Sequence, residues 1–369
     1  MKKGRMFAHP PRFLCRKESL FSLFLFALLG AGLLGGQFGF LEGDFVVGFF
    51  GDGDFGGQCS LGGFGGSLFF SQSGRGQNGS ALLELNFGFG IRTGDIDLDG
   101  HFDFRVQMHN FVSRDGVTPD EFRRVAREQL SQYPNVVVKD VRVGGVTGAK
   151  GEFDVAVGAD TVKARRVLLC TGMIDEQLPI DGFRDLWGHA VVQCPYCHGW
   201  ESKGRPWGYL VRSEHAAHLQ MFALQLRSWT DEVCVFTNGE FEVPPAVQSQ
   251  LVAAGLRLET ARITRLVARE HHLEAVELSD GRRVECELLF AHPPQHQVEM
   301  VRTLAVTLDA EGFVQVDPMS RQTSVPGVFA AGDLTTRLQA AIAAASSGMQ
   351  AAAMINFELA MELASARAP

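Results

Sequence analysis

The sequence predicts an α/β fold of two three-layer domains, one of them interrupted by the other. Three observations carry this. A chain of 369 residues is long enough for two domains with sizeable cores. From about residue 105 onward, short β-branched runs alternate with helical segments, the pattern of parallel strands covered by helices. Before that point the sequence is low in complexity, which marks a boundary near residue 105.

The first segment, 1–105, holds 18 of the 29 Phe and 23 of the 42 Gly, and has no lysine after Lys17. Its repeats, such as Gly62-Gly63-Phe64-Gly65-Gly66, show neither helical nor strand periodicity, so no fold is expected of it. A shifted reading frame or disorder would both produce such a stretch. Thr118-Pro119-Asp120-Glu121 then has the cap, the first-turn proline and the glutamate of a helix start. The helix places Phe122, Val125, Ala126 and Leu130 on one face. Strands are expected at 136–138 and 141–143, and a hairpin at 153–157 and 162–169. A second unit reads strand 207–211, helix 214–227, strand 232–236, helix 244–254, then β-rich sequence from 263 to 290. Strands at 312–315 and 328–331 lead into an Ala-rich helix from about 338 to 363.

Charge and cysteine usage exclude some functions. A net charge of −8 argues against a nucleic-acid partner, which calls for a clustered positive surface. Seven scattered cysteines with one close pair do not form a secreted disulfide framework, so a reducing, cytoplasmic setting is expected. The apolar run 20–36 follows Lys2, Lys3, Arg5, Arg12, Arg16 and Lys17, as in a signal peptide or anchor. It is glycine-interrupted and short of the roughly 20 residues of a membrane span, so an ordinary apolar segment is favoured and no membrane partner is expected.

Two motifs bear on chemistry. Gly30-Ala31-Gly32-Leu33-Leu34-Gly35 fits the fingerprint that seats a pyrophosphate at a helix N-terminus. Gly51/Gly53/Gly56 and Gly74/Gly76/Gly79 fit it equally well, as chance matches in glycine-rich text do. Cys194-Pro195-Tyr196-Cys197-His198 supports four readings. A c-type haem attachment needs export and an axial partner. A zinc site needs two more ligands, for which only His189 and His198 are near, at poor spacing, so no metal is expected. Two buried structural thiols are the third. The favoured fourth is a redox disulfide, where proximity and local electrostatics keep one thiolate reactive near neutral pH.

Three landmarks in order make a resemblance specific: Leu168-Leu169-Cys170-Thr171-Gly172, then Cys-Pro-Tyr-Cys-His, then Thr323-Ser324-Val325-Pro326-Gly327-Val328-Phe329-Ala330-Ala331-Gly332-Asp333. From about Met108 to Phe357 the chain resembles the low-molecular-weight thioredoxin reductase family, in particular relatives acting on small dithiols. The resemblance implies two Rossmann-like domains. An FAD domain would use 106–188 and 292–369, and an inserted NAD(P)-type domain would span 189–291 with the cysteine pair at its start. It implies that Asp333 and Gly332 meet the flavin's ribityl–pyrophosphate region, with Leu338, Gln339 and Ala340 in the turn of helix aimed at the ring. Thr171 and Gly172 match the crossover near the cofactor, and His109 lies in a loop that runs beside the flavin or is a satisfied loop histidine. Cys197 would exchange electrons with flavin, Cys194 would meet substrate, and His198 would move protons or simply begin a helix. A small dithiol or a thioredoxin-like protein would be the partner, and relatives form homodimers.

Two departures qualify this. The family's first strand and glycine loop for the ADP half of FAD have no counterpart in 1–105. In the inserted domain, Arg212 and Ser213 stand where a glycine loop would hold NADPH, and no arginine pair follows Asn238-Gly239. The implied function is FAD-dependent thiol–disulfide exchange, with two alternatives: a dithiol oxidase that passes electrons to oxygen, and a non-catalytic remnant.

Overall fold

The computed structural model describes residues 107–366, together with the backbone of three short strands, β1 (Val46–Val47), β2 (Ser67–Phe70) and β3 (Ala81–Leu83). The apolar run at 20–36 and all three glycine fingerprints lie outside the described residues.

Helix α1 (Pro119–Leu130) starts where its sequence says, with Thr118 Oγ1 accepting the Glu121 N–H at 3.2 Å. After β4 (Val136–Val137) come β5 (Val143–Ala149), β6 (Glu152–Val157) and β7 (Asp160–Ala164), which form an antiparallel sheet. Here the sequence expectation needs correction. The strand expected at 141–143 begins only at Val143 and runs on through Gly144 and Gly145. The strand expected at 162–169 divides at Arg165 into β7 and β8 (Arg166–Leu169), which belong to different sheets. The reason is burial: β7 is mostly exposed, whereas all four β8 residues are buried.

β8 is covered on both faces. Val167 and Leu169 pack among Phe153, Val155, Met300 and Val301, and Leu168 packs on the opposite side. It pairs in parallel with β19 (Val328–Ala330) and antiparallel with β2. Helix α7 (Ala341–Ala366) closes the second face through Ala351, Ile355 and Leu359, which meet Leu168 and Phe329. Fully buried Arg166 binds the helix electrostatically: its Nε donates to Glu358 at 3.1 Å and its Nη2 to Glu362, while Lys150 and Arg165 reach the same two carboxylates at 2.9 and 2.7 Å.

Between β8 and β19 lies the second unit. β9 (Ile174–Asp175), α2 (Phe183–Leu186), β10 (Val191–Val192), α3 (Pro195–His198) and β11 (Trp207–Leu210) lead into it. Next come α4 (Leu219–Leu226), β12 (Val233–Phe236), α5 (Pro245–Ala253) and β13 (Arg257–Glu259). β14 (Ile263–Arg269), β15 (His272–Leu278) and β16 (Arg283–Glu285) form an antiparallel layer, and β17 (Leu288–Ala291) returns to the main sheet. That sheet is all parallel, in the order β10-β17-β11-β12-β13. Along β12, Val233 and Val235 face the helices while Cys234 and Phe236 face the antiparallel layer, which makes three layers. The chain leaves through β18 (Gln295–His296), which pairs antiparallel with β9, and then α6 (Glu299–Thr303).

Three further expectations are corrected. The helix expected from 214 opens as a 3-10 turn, Ser213–His218, before α4. The strand expected at 312–315 reduces to one bridge, Leu308 with Val314, although Phe313 and Val314 are core residues. The C-terminal helix begins at Ala341, so Leu338, Gln339 and Ala340 form an irregular approach to it rather than its first turn. Among the described residues no helix is long and apolar enough to cross a membrane.

Candidate active site

Parallel pairing of β8 with β19 sets Leu169 opposite Ala330, and the Ala331 N–H donates to the Leu169 carbonyl at 2.9 Å. The segments that follow, Thr171-Gly172 and Gly332-Asp333, therefore emerge together at the carboxyl ends of two parallel strands, where open α/β sheets bind ligands. Thr171 is fully buried and its hydroxyl has no hydrogen-bond partner among the described residues. Gly332 has φ +84° and ψ −157°, a region essentially reserved for glycine that costs other residues of order 1–3 kcal/mol. Its N–H donates to Ser347 Oγ at 3.0 Å, which fixes α7 against the turn. Burial pushes the Asp333 carboxyl up to about 7, with the charge of Asp175 adding to the effect.

The cysteine pair lies on one turn of helix. Pro195 presets the first helical φ, Cys194 is the cap, and the Cys197 N–H returns to the Cys194 carbonyl at 3.2 Å. Gly199 ends the turn so tightly that an added Cβ would lie 2.4 Å from the Pro195 carbonyl oxygen. The two sulfurs sit 2.8 Å apart, both half-buried. They are chemically unequal. A hydrogen bond from the Cys197 thiol, supported by the N–H groups of Cys197 and Tyr196, brings Cys194 down to about 7 against the pull of burial. The same hydrogen bond, burial and the charges of Cys194 and Asp333 push Cys197 far up. Of these causes, the charge of Asp333 is the smallest. His198 is half-buried on the same turn of helix.

His109 lies in a loop that docks on this motif. Its Nε2 is 3.2 Å from Glu201 and its Nδ1 3.4 Å from Asp115, while Asn110 Nδ2 donates to the Tyr196 carbonyl at 2.6 Å. Asn110 has φ +62°, which asparagine tolerates better than most residues. Among the described residues no group of three or more His, Cys, Asp or Glu is placed to hold a metal ion; His189 stacks on His271 at 4.2 Å.

Sequence reasoning missed a second set of polar residues. Asp175, 4 % exposed, accepts from Gln193 and Gln295, and Gln295 is paired with Gln339. Burial raises the Asp175 carboxyl to about 6. His292, directly after β17, is packed against Phe222 with centroids 4.9 Å apart, and burial with the nearby His215 lowers it to about 4. Asp175 is followed by Glu176 and Gln177, so nothing in the local sequence singles it out, and nothing marks His292 either.

The turn after β11 does not have the shape of a dinucleotide loop. The Ser213 N–H is occupied by Glu240 Oε2 at 3.1 Å, and Arg212 pairs with Glu214 at 3.1 Å. A carboxylate thus sits on an amide that a pyrophosphate would need, and the helix start there is a 3-10 turn.

A close thiol pair within an α/β unit built on a five-stranded parallel sheet agrees with what comparison shows. The chain belongs to the pyridine nucleotide-disulphide oxidoreductase family, whose model matches residues 110–348. Within that family it is thioredoxin reductase-like. It is 30% identical to thioredoxin reductase aclD of Aspergillus oryzae over 269 residues, covering 69% of this chain and 84% of that protein. It is 29% identical to thioredoxin reductase sirT of Leptosphaeria maculans, over 68% of this chain and 81% of that one. Among solved structures it is similar to an oxidoreductase from Agrobacterium tumefaciens, with TM-score 0.63, 31% identity and coverage of 71% of this chain and 88% of that one.

The family implies FAD and a nicotinamide nucleotide. At the flavin end the residues fit: a buried hydroxyl lacking a partner, a positive-φ glycine and an acid that burial keeps from ionising easily. The ADP end falls outside the described residues. The residues around Ser213 do not fit a nicotinamide dinucleotide.

Proposed function

We propose that this protein is an FAD-dependent thiol–disulfide oxidoreductase acting on a small dithiol or a thioredoxin-like partner. In this reading 106–188 and 292–369 form the flavin domain, and 189–291 the inserted domain. The observation that carries it is the pair of sulfurs 2.8 Å apart with opposed acidities, the less acidic one under the influence of Asp333.

The exchange follows from these residues. Cys194, partly thiolate at neutral pH, attacks one sulfur of the substrate disulfide and releases the other as a thiolate. Cys197 then attacks Cys194, forming the internal disulfide and releasing the second substrate thiolate. Its proton must leave as it does so, and His198, one residue on, suits that transfer. Run in reverse, the same steps oxidise a dithiol. FAD, held by Thr171, Gly172, Gly332 and Asp333, would supply the two-electron exchange with the pair. Gln339 and Ala340, in the approach to α7, and His109, in the loop beside the cysteine turn, would complete its surroundings.

The Glu240 carboxylate on the Ser213 N–H favours a second reading, in which the nucleotide is not the electron partner and oxygen takes the electrons from a dithiol substrate. In FAD-loaded protein, Cys194→Ser should leave a Cys197 thiolate that gives a long-wavelength charge-transfer absorption, and Cys197→Ser should lack it. Both should lose disulfide turnover. Full turnover in both single variants would make the pair structural and end the proposal.

A further inference from the structure

The polar residues on the two linking strands take no part in the exchange above, yet they hold the segment that carries it. β9 and β18 set Asp175 opposite Gln295. Asp175 Oδ1 accepts Gln193 Nε2 at 3.0 Å and Gln295 Nε2 at 2.8 Å, and Oδ2 has no hydrogen-bond partner among the described residues. Gln295 and Gln339 exchange amide hydrogen bonds of 3.1 and 2.8 Å. A buried carboxylate is expensive unless it is hydrogen-bonded, so this one binds its donors firmly. Those donors come from the residue before Cys194, from the opposite linking strand and, through Gln295, from the approach to α7.

We propose that Asp175 is a positioning residue of the redox site, its carboxylate fixing Gln193, and with it the start of the Cys194–Cys197 turn, relative to the Asp333–Gln339 segment. The proposal rests on the reading of Cys194 and Cys197 as the exchanging pair. The hydrogen bonds that favour a Cys194 thiolate all come from its own turn of helix, and hydrogen bonds weaken steeply with misalignment. A loosened Gln193 lets Cys194 drift from those donors. Asparagine at 175 keeps an oxygen for the two amides, whereas alanine offers nothing.

The test is alkylation of the full chain by iodoacetamide between about pH 5 and 9, with Cys194 and Cys197 followed by peptide mapping. Wild type should alkylate Cys194 with a midpoint near 7 and Cys197 far more slowly. Asp175→Ala should move the Cys194 midpoint up by about one unit, toward the roughly 8.5 of a free thiol, and shrink the rate ratio of the two thiols about tenfold. Asp175→Asn should keep the wild-type profile. Gln193→Met, which removes only the amide, should shift it as alanine does and decides the matter if Asp175→Ala does not fold. A purely structural role would lower the melting temperature and leave the midpoint in place. Unequal thiols in wild type with unchanged profiles in Asp175→Ala and Gln193→Met would overturn the positioning role alone. Equal thiols already in wild type would overturn the redox pair and the positioning role together.

Discussion

Removing both carboxylates that hold Arg166 should destabilise the fold more than any surface change. Arg166 is fully buried on β8, and its charge is balanced by Glu358 and Glu362 on α7. In the double variant Glu358→Gln/Glu362→Gln, Arg166 keeps the Arg165 carbonyl at 2.9 Å and meets two neutral amides in place of the carboxylates. Stranding a buried charge costs about 3–5 kcal/mol. At about 2–4 °C per kcal/mol for a domain of this size, melting should fall by roughly 6–20 °C. The effect has a defined pH dependence. Although burial opposes it, Arg166 and Arg165 hold the Glu362 carboxyl below its ordinary value. A depressed folded-state pKa gives stability that is present above the unfolded value and lost as pH falls through the folded one. The gap between wild type and variant should therefore narrow in acid. Thermal unfolding followed by circular dichroism at neutral and acid pH measures both. A loss under about 1 kcal/mol at neutral pH would refute the claim that this cluster fastens α7 to β8.

Two other outcomes are expected. In protein without flavin, Asp333→Asn should melt with wild type in acid and above it at pH 8, because a carboxyl raised to about 7 contributes stability below its unfolded pKa that is lost as pH rises through 7; equal melting at both pH values would contradict the buried setting of Asp333. NADPH should bind the full chain with a Kd no tighter than about 1 mM by calorimetry, and micromolar binding would show that the Glu240 contact yields to pyrophosphate.

Much of this was legible in the sequence where local rules decide. The Thr118 cap, β11, β12 and α5 follow from capping chemistry and apolar period, and the order of Cys170-Thr171-Gly172, the cysteine pair and Gly332-Asp333 carried the resemblance to the family that the chain belongs to. What local rules missed has a common cause. Gly144 and Gly145 look like a loop, yet pairing with β6 extends them. Ala164 and Arg166 look continuous, yet tertiary burial sends them to different sheets. Leu338 to Ala340 carry no breaker, yet they stay irregular while Gln339 bonds to Gln295, 44 residues away. Asp175, Gln193 and Gln295 meet only once two strands far apart in sequence pair, and His292 is noticed only once its burial is known.

The central claim is that Cys194 and Cys197 form a working redox pair, and equilibration of the full chain with glutathione mixtures tests it most directly. Mass spectrometry after acid quench should find one internal disulfide, between Cys194 and Cys197, with a midpoint between about −300 and −180 mV. Cys170, Cys234 and Cys286, whose thiols burial pushes up, should stay reduced throughout. A pair that remains dithiol under oxidising glutathione, or a disulfide that forms at the other cysteines instead, would contradict the account.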